Sequence, residues 1–101
     1  MIRNALFVRL EAKLGKEQKV ADFLAAGLDM ACEEATKPIW FALKLSPTKF
    51  GIFDAFADED DRQVHLQGSI ANALAAHADE ILACPPSIES IDVLGMKNQL
   101  A

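Results

Sequence analysis

Three side chains in this sequence have the chemistry to move a proton inside an apolar setting: Asp54, His65 and His77. The stretch FGIFDAFADEDDRQVHL, residues 50 to 66, holds the first two. In it an aromatic-rich run carries one carboxylate, turns through a cluster of acids, and arrives at a histidine. Asp54 lies between Ile52 and Phe56, so an alternating strand places it on the apolar side, as a base or a hydrogen-bonding anchor. Histidine titrates near neutral pH and can take a proton from a phenol or an enol. His77 falls seven residues after Ile70, within an apolar helical stripe. Against each stands a plainer reading: a capping or ion-paired carboxylate for Asp54 (with Arg9 or Arg62 as partner) and boundary residues for the two histidines.

Several chemistries are excluded by what surrounds these residues. Neither histidine belongs to a His/Cys/Glu cluster with ligand spacing, so no metal is expected. The sequence has no glycine-rich phosphate loop, no Walker pattern and no nucleophile elbow, and no cofactor is expected. Cys32 and Cys84 match no zinc spacing and read as small, buried or half-buried apolar residues of a reducing compartment.

The elements that must position these groups follow from periodicity. Residues 5 to 12 alternate, with Leu6, Val8 and Leu10 on one face and Phe7, Arg9 and Glu11 on the other. After Gly15 an amphipathic helix runs from Lys16 to about Glu34, its stripe being Val20, Phe23, Leu24, Gly27, Leu28 and Ala31. Lys37-Pro38 ends it. Residues 39 to 45 and 50 to 56 are two strands joined by Ser46-Pro47-Thr48-Lys49, a hairpin. Pairing Leu45 with Phe50 puts Ile39, Phe41, Leu43, Ile52, Asp54 and Phe56 on one face, and Trp40, Ala42, Gly51 and Phe53 on the other. Asp58 can cap a short helix through Gln67. After Gly68, Ser69 opens a second segment to about Leu82, with Ile70, Ala73, Leu74, His77, Ala78 and Ile81 as its stripe. Pro85-Pro86 stops it, and Ile88 to Met96 is the last strand.

The order βαββαβ is an α+β, ferredoxin-like sandwich, a single domain over residues 1–101 with strand order 4-1-3-2 and both helices on one face. In that arrangement the two cysteines lie too far apart to bridge. Two helices cover one face of four strands, yet the other still carries Phe7, Trp40 and Phe53. Large uncovered apolar faces mark interfaces, so a homodimer packed sheet on sheet through these three residues is expected. A ligand cavity then lies between sheet and helices, walled by Phe41, Phe56, Ile70 and Leu74 and sized for a small aromatic compound.

Composition sets the remaining bounds. The 101 residues are 51% hydrophobic and 25% charged, with a net charge of −5 and scattered basic residues. That disfavours nucleic acid and anionic membrane as partners. No apolar run reaches the length of a membrane helix, and the N-terminal run is too short and too charged for a signal peptide. A cytoplasmic location is expected.

Taken together, the strand with its Gly-Lys entry to the first helix, the hairpin, and the run Phe53-Asp54-Ala55-Phe56 through an acidic turn to His65 resemble the antibiotic biosynthesis monooxygenase (ABM) domain family. The resemblance spans residues 5 to about 95 and implies a dimeric α+β barrel. It also implies cofactor-independent oxygenation of quinol-like aromatics, in which the deprotonated substrate itself reduces dioxygen. Members that degrade heme use an asparagine, a tryptophan and a histidine; the matching places hold Val8, His65 and Ala75, so that activity is not expected. The chain lacks tyrosine, and Arg62 and Val64 depart from the apolar pattern ahead of the family's helix histidine. The alternative is a non-catalytic dimeric module that binds a small molecule or serves a stress response.

Overall fold

The computed structural model describes residues 2–33, 39–66 and 69–97. Its order is β1 (Asn4–Glu11), α1 (Glu17–Glu33), β2 (Ile39–Lys44), β3 (Lys49–Phe56), α2 (Glu59–Leu66), α3 (Ser69–Ile81) and β4 (Ser87–Asp92). The strands form one antiparallel sheet in the order β2-β3-β1-β4, the ferredoxin-like arrangement. The stretch between β3 and β4 holds two helices, the short one after Asp58 and the second from Ser69 that the sequence suggests. Asp58 caps α2: its Oδ1 accepts from Asp61 N–H at 2.9 Å. Glu59, Asp60 and Asp61 fill the first turn, where the helix dipole favours negative charge. Gly15, with φ of 85°, makes the left-handed turn between β1 and α1. Lys37-Pro38, Gln67 and Gly68 lie outside the described residues.

The helix-facing side of the sheet closes over hydrocarbon. Val8 and Leu10 from β1 and Phe50 and Ile52 from β3 meet Val20 and Leu24 of α1 and Leu74 and Ile81 of α3, all buried. Burying each such side chain contributes about 1.5–3 kcal/mol. The far end of β1 is also tied by backbone bonds, Lys13 N–H to Ile81 O and Ala83 N–H to Glu11 O. Both cysteines are free, as expected, but exposed, contrary to the reading of them as buried or half-buried. Cys32 follows the inward Ala31 by one residue, which turns it outward, and Cys84 lies beyond the end of α3.

The hairpin register differs by one residue from the expected pairing, and the reason is local. Leu45 N–H and Ser46 N–H both donate to Lys49 O, at 2.8 and 3.1 Å, while Lys49 N–H returns to Ser46 O at 3.3 Å. Two residues oppose one, which is a β-bulge. Beyond it Lys44 pairs with Phe50, Ala42 with Ile52, and Trp40 with Asp54. The faces of β2 are therefore exchanged. Trp40 faces α1, where its ring would touch a Cβ placed on Gly27 at 3.4 Å. Phe41 faces away from the helices and is 54% exposed.

The open face thus carries Phe7, Phe41 and Phe53, together with Ile39 and Leu43. The rings of Phe41 and Phe53 lie 6.4 Å apart and tilted by 34°. Phe7 lies over Gly51, 3.0 Å from where a Cβ would stand, and the Arg9 guanidinium covers Phe7 at 4.8 Å. Arg9 also reaches Glu89 on β4 at 3.5 Å.

Candidate functional site

Asp54 is the one charged residue buried to 0% exposure among the described residues. The register sets it between Leu6 of β1 and Trp40 of β2, with Phe56, equally buried, two residues on. A carboxylate removed from water is retained only where its surroundings engage it, and Asp54, Trp40 and Phe56 all make further interactions here.

Helix α2 packs over this end of β1 and β3. From it Arg62 turns inward, its side chain 11% exposed. Nη1 reaches the Ala5 carbonyl at 3.5 Å, Nη2 pairs with Glu59, and Nε is buried with no hydrogen bond among the described residues. His65 belongs to α2, three residues after Arg62; its side chain lies outside the described residues.

Of the expected wall residues, Phe56, Ile70 and Leu74 are buried, with Leu74 packed into the hydrocarbon core. Phe41 is not a wall, because the bulge sends it to the open face. For the same reason Trp40 leaves the expected dimer face and joins the site, while Phe7 and Phe53 stay where they were expected. His77 does not face the sheet. Its side chain is 54% exposed, with Phe23 edge-on at 6.0 Å and Glu80 Oε2 3.9 Å from Nδ1. It lines an outer groove of about 320 Å³ between α1 and α3, with Lys19, Asp22 and Phe23. The apolar stripe of α3 runs through Ala78 instead, one position along.

The structure therefore gathers Asp54, Phe56, Trp40 and Arg62, and leaves out Phe41 and His77. Of the four, Trp40 was not placed there by sequence reasoning, and Arg62 only as one of two alternative ion-pair partners of Asp54. Arg62 carried a readable signal, being the sole cation in a run of acids four residues after the cap. No group of three or more His, Cys, Asp or Glu among the described residues could hold a metal. No helix among them is long and apolar enough to cross a membrane.

The fold and this geometry can be set beside known proteins. No family model and no curated protein matches the chain. A solved structure of a Nitrosomonas europaea protein of unknown function is similar at 54% identity and a TM-score of 0.94, covering 97% of this chain and 95% of that one. The chain belongs to that protein's family. A candidate antibiotic biosynthesis monooxygenase from the same organism aligns at 15% identity and a TM-score of 0.80, over 91% and 90% of the two chains. Another from Deinococcus radiodurans aligns at 14% identity and 0.77, over 94% and 96%.

Its fold is the ABM fold. The resemblance carried by the β3 run and the acidic turn therefore holds at the level of architecture. Asp54 occupies the helix-facing side of β3 near its end, and α2 packs against β1 and β3.

Proposed function

We propose that the protein is a cofactor-independent monooxygenase acting on a small aromatic, quinol-like compound held between the sheet and α2. The observation that carries this is Asp54, a carboxylate kept inside an apolar site with an aromatic floor of Phe56 and Trp40. Asp54 or His65 takes the phenolic proton, and the electron-rich anion reduces dioxygen. A ring C–H becomes a carbonyl: one oxygen atom enters the quinone, and the other leaves as water with the two hydrogens removed from the substrate. Water exclusion protects the anion while it reacts. Phe56, Ile70 and Leu74 supply the apolar walls.

The reading includes a homodimer. Phe7, Phe41 and Phe53 form the apolar centre of the open face, and a twofold partner packed on it would complete an α+β barrel. Two exposed free thiols fit a reducing, cytoplasmic setting.

The test is dioxygen uptake with a panel of quinols, with the product identified by mass spectrometry. Asp54→Asn or His65→Ala should lower turnover by about 10²–10⁴-fold, the usual contribution of a positioned base. If both variants oxidise every accepted quinol at the parent rate, the proton-transfer assignment is lost. The alternative, a non-catalytic dimeric module for a small apolar ligand, draws on His77 facing outward, which leaves a single histidine near the site. Ligand binding with no oxygen uptake would decide for it.

A further inference from the structure

Arg62 is the odd residue of α2. Asp58, Glu59, Asp60 and Asp61 precede it, and the chain as a whole carries five excess negative charges. Surface cations in such a helix would serve their acidic neighbours from outside. This one is turned inward and only 11% exposed.

Its three nitrogens are used unequally. Nη1 donates to Ala5 O at 3.5 Å, the long limit of a hydrogen bond. Nη2 meets Glu59, whose own side chain is 51% exposed and free to swing outward. Nε is buried and has no acceptor among the described residues. A buried N–H of a charged group left without an acceptor is costly, so it points to an acceptor that arrives from elsewhere. Nε and Nη2 form one edge of the guanidinium, whose two parallel N–H groups match the two oxygens of a carboxylate. A strut between α2 and β1 would need Nη1 alone.

We propose that the Nε–Nη2 edge of Arg62 recognises a carboxylate carried by the aromatic ligand, with Glu59 as the displaceable occupant of Nη2. The assignment rests on the pocket reading above and narrows its substrate class to aromatic acids. It also accounts for how an acidic protein, with Asp54 in the same site, admits an anion. A site built to bond a charged group discriminates against the analogue that lacks it.

Isothermal titration of the full chain with catechol and with 3,4-dihydroxybenzoate, which differ by one carboxylate, tests this. The parent should bind the acid about tenfold more tightly, as one charge-assisted pair implies. Arg62→Gln should erase that preference, so that the two compounds bind alike, and Arg62→Lys should restore part of it. Glu59→Gln, which removes the competitor and keeps Arg62, should tighten the acid several-fold; if Arg62→Gln does not fold, this variant decides. Equal affinities in the parent, an intact preference in Arg62→Gln, or an unchanged Glu59→Gln would overturn the anion site and leave the pocket standing. If neither compound binds, the pocket reading falls and the anion site with it.

Discussion

The two ends of the helix-facing side of the sheet are built differently. At the Leu10–Phe50 end every buried group is hydrocarbon, with Lys44 at the rim over the Phe50 ring, and the strand ends are tied by backbone bonds to the close of α3. At the Leu6–Phe56 end a carboxylate and a guanidinium come in with the aromatics. The contrast teaches that stability and chemistry are divided along one strand pair. The first end supplies enough burial that the second can hold charged groups out of water.

The sharpest way to break this comparison is at the hydrocarbon end. Phe50→Ala should cost about 3–5 kcal/mol, and Leu24→Ala about 2–5, measured by urea denaturation with the slope unchanged. Losses near zero there would mean that the core lies elsewhere. The open face offers the next largest effect. Phe53→Glu should shift a dimer to monomer in sedimentation velocity, while Trp40→Phe, on the inner side, should leave assembly unaltered. The reverse pattern would restore the register without a bulge.

Smaller effects sharpen the picture at the Asp54 end. Asp58→Ala removes the N-cap of the helix that carries Arg62 and should cost about 1 kcal/mol. Because α2 covers the site, the same variant should weaken ligand binding more than any equal loss of stability made in α1. His77→Ala should change stability by less than about 0.5 kcal/mol, as expected of a half-exposed side chain. It should also leave dioxygen uptake at the parent rate.

The four strands, most of the helix stripes, the cap at Asp58 and the strand order were legible in the sequence, because period and turn chemistry are local; the last strand, however, ends at Asp92 and not at Met96, and Leu28 of the α1 stripe is exposed. Asp54 could be placed inward from its neighbours Ile52 and Phe56 alone. Trp40 and Phe41 could not be assigned to faces, since every residue from Ile39 to Leu43 is apolar and alternation gives no preference. Their assignment depends on how many residues oppose Lys49, which only the backbone bonds reveal. His77 was misplaced for a related reason: at positions 77 and 78 a helical stripe can run through either residue, and the smaller, apolar Ala78 takes the inward place. Arg62 was marked by being the sole cation in an acidic run, but such a guanidinium reads equally well as a surface ion pair, so the signal gave no direction.

The doubled opposition at Lys49 makes the connection between β2 and β3 a one-residue switch for the whole edge of the sheet. Closing the same turn with every residue kept and Leu45 opposite Phe50 would rotate the indole outward and the Phe41 ring beneath the helices. A chain so registered would keep its elements and its topology while exchanging its inner lining for its outer surface. Deleting Leu45 or Ser46 has the opposite consequence: it removes the surplus, leaves Lys44 opposite Phe50 and locks the present faces in place.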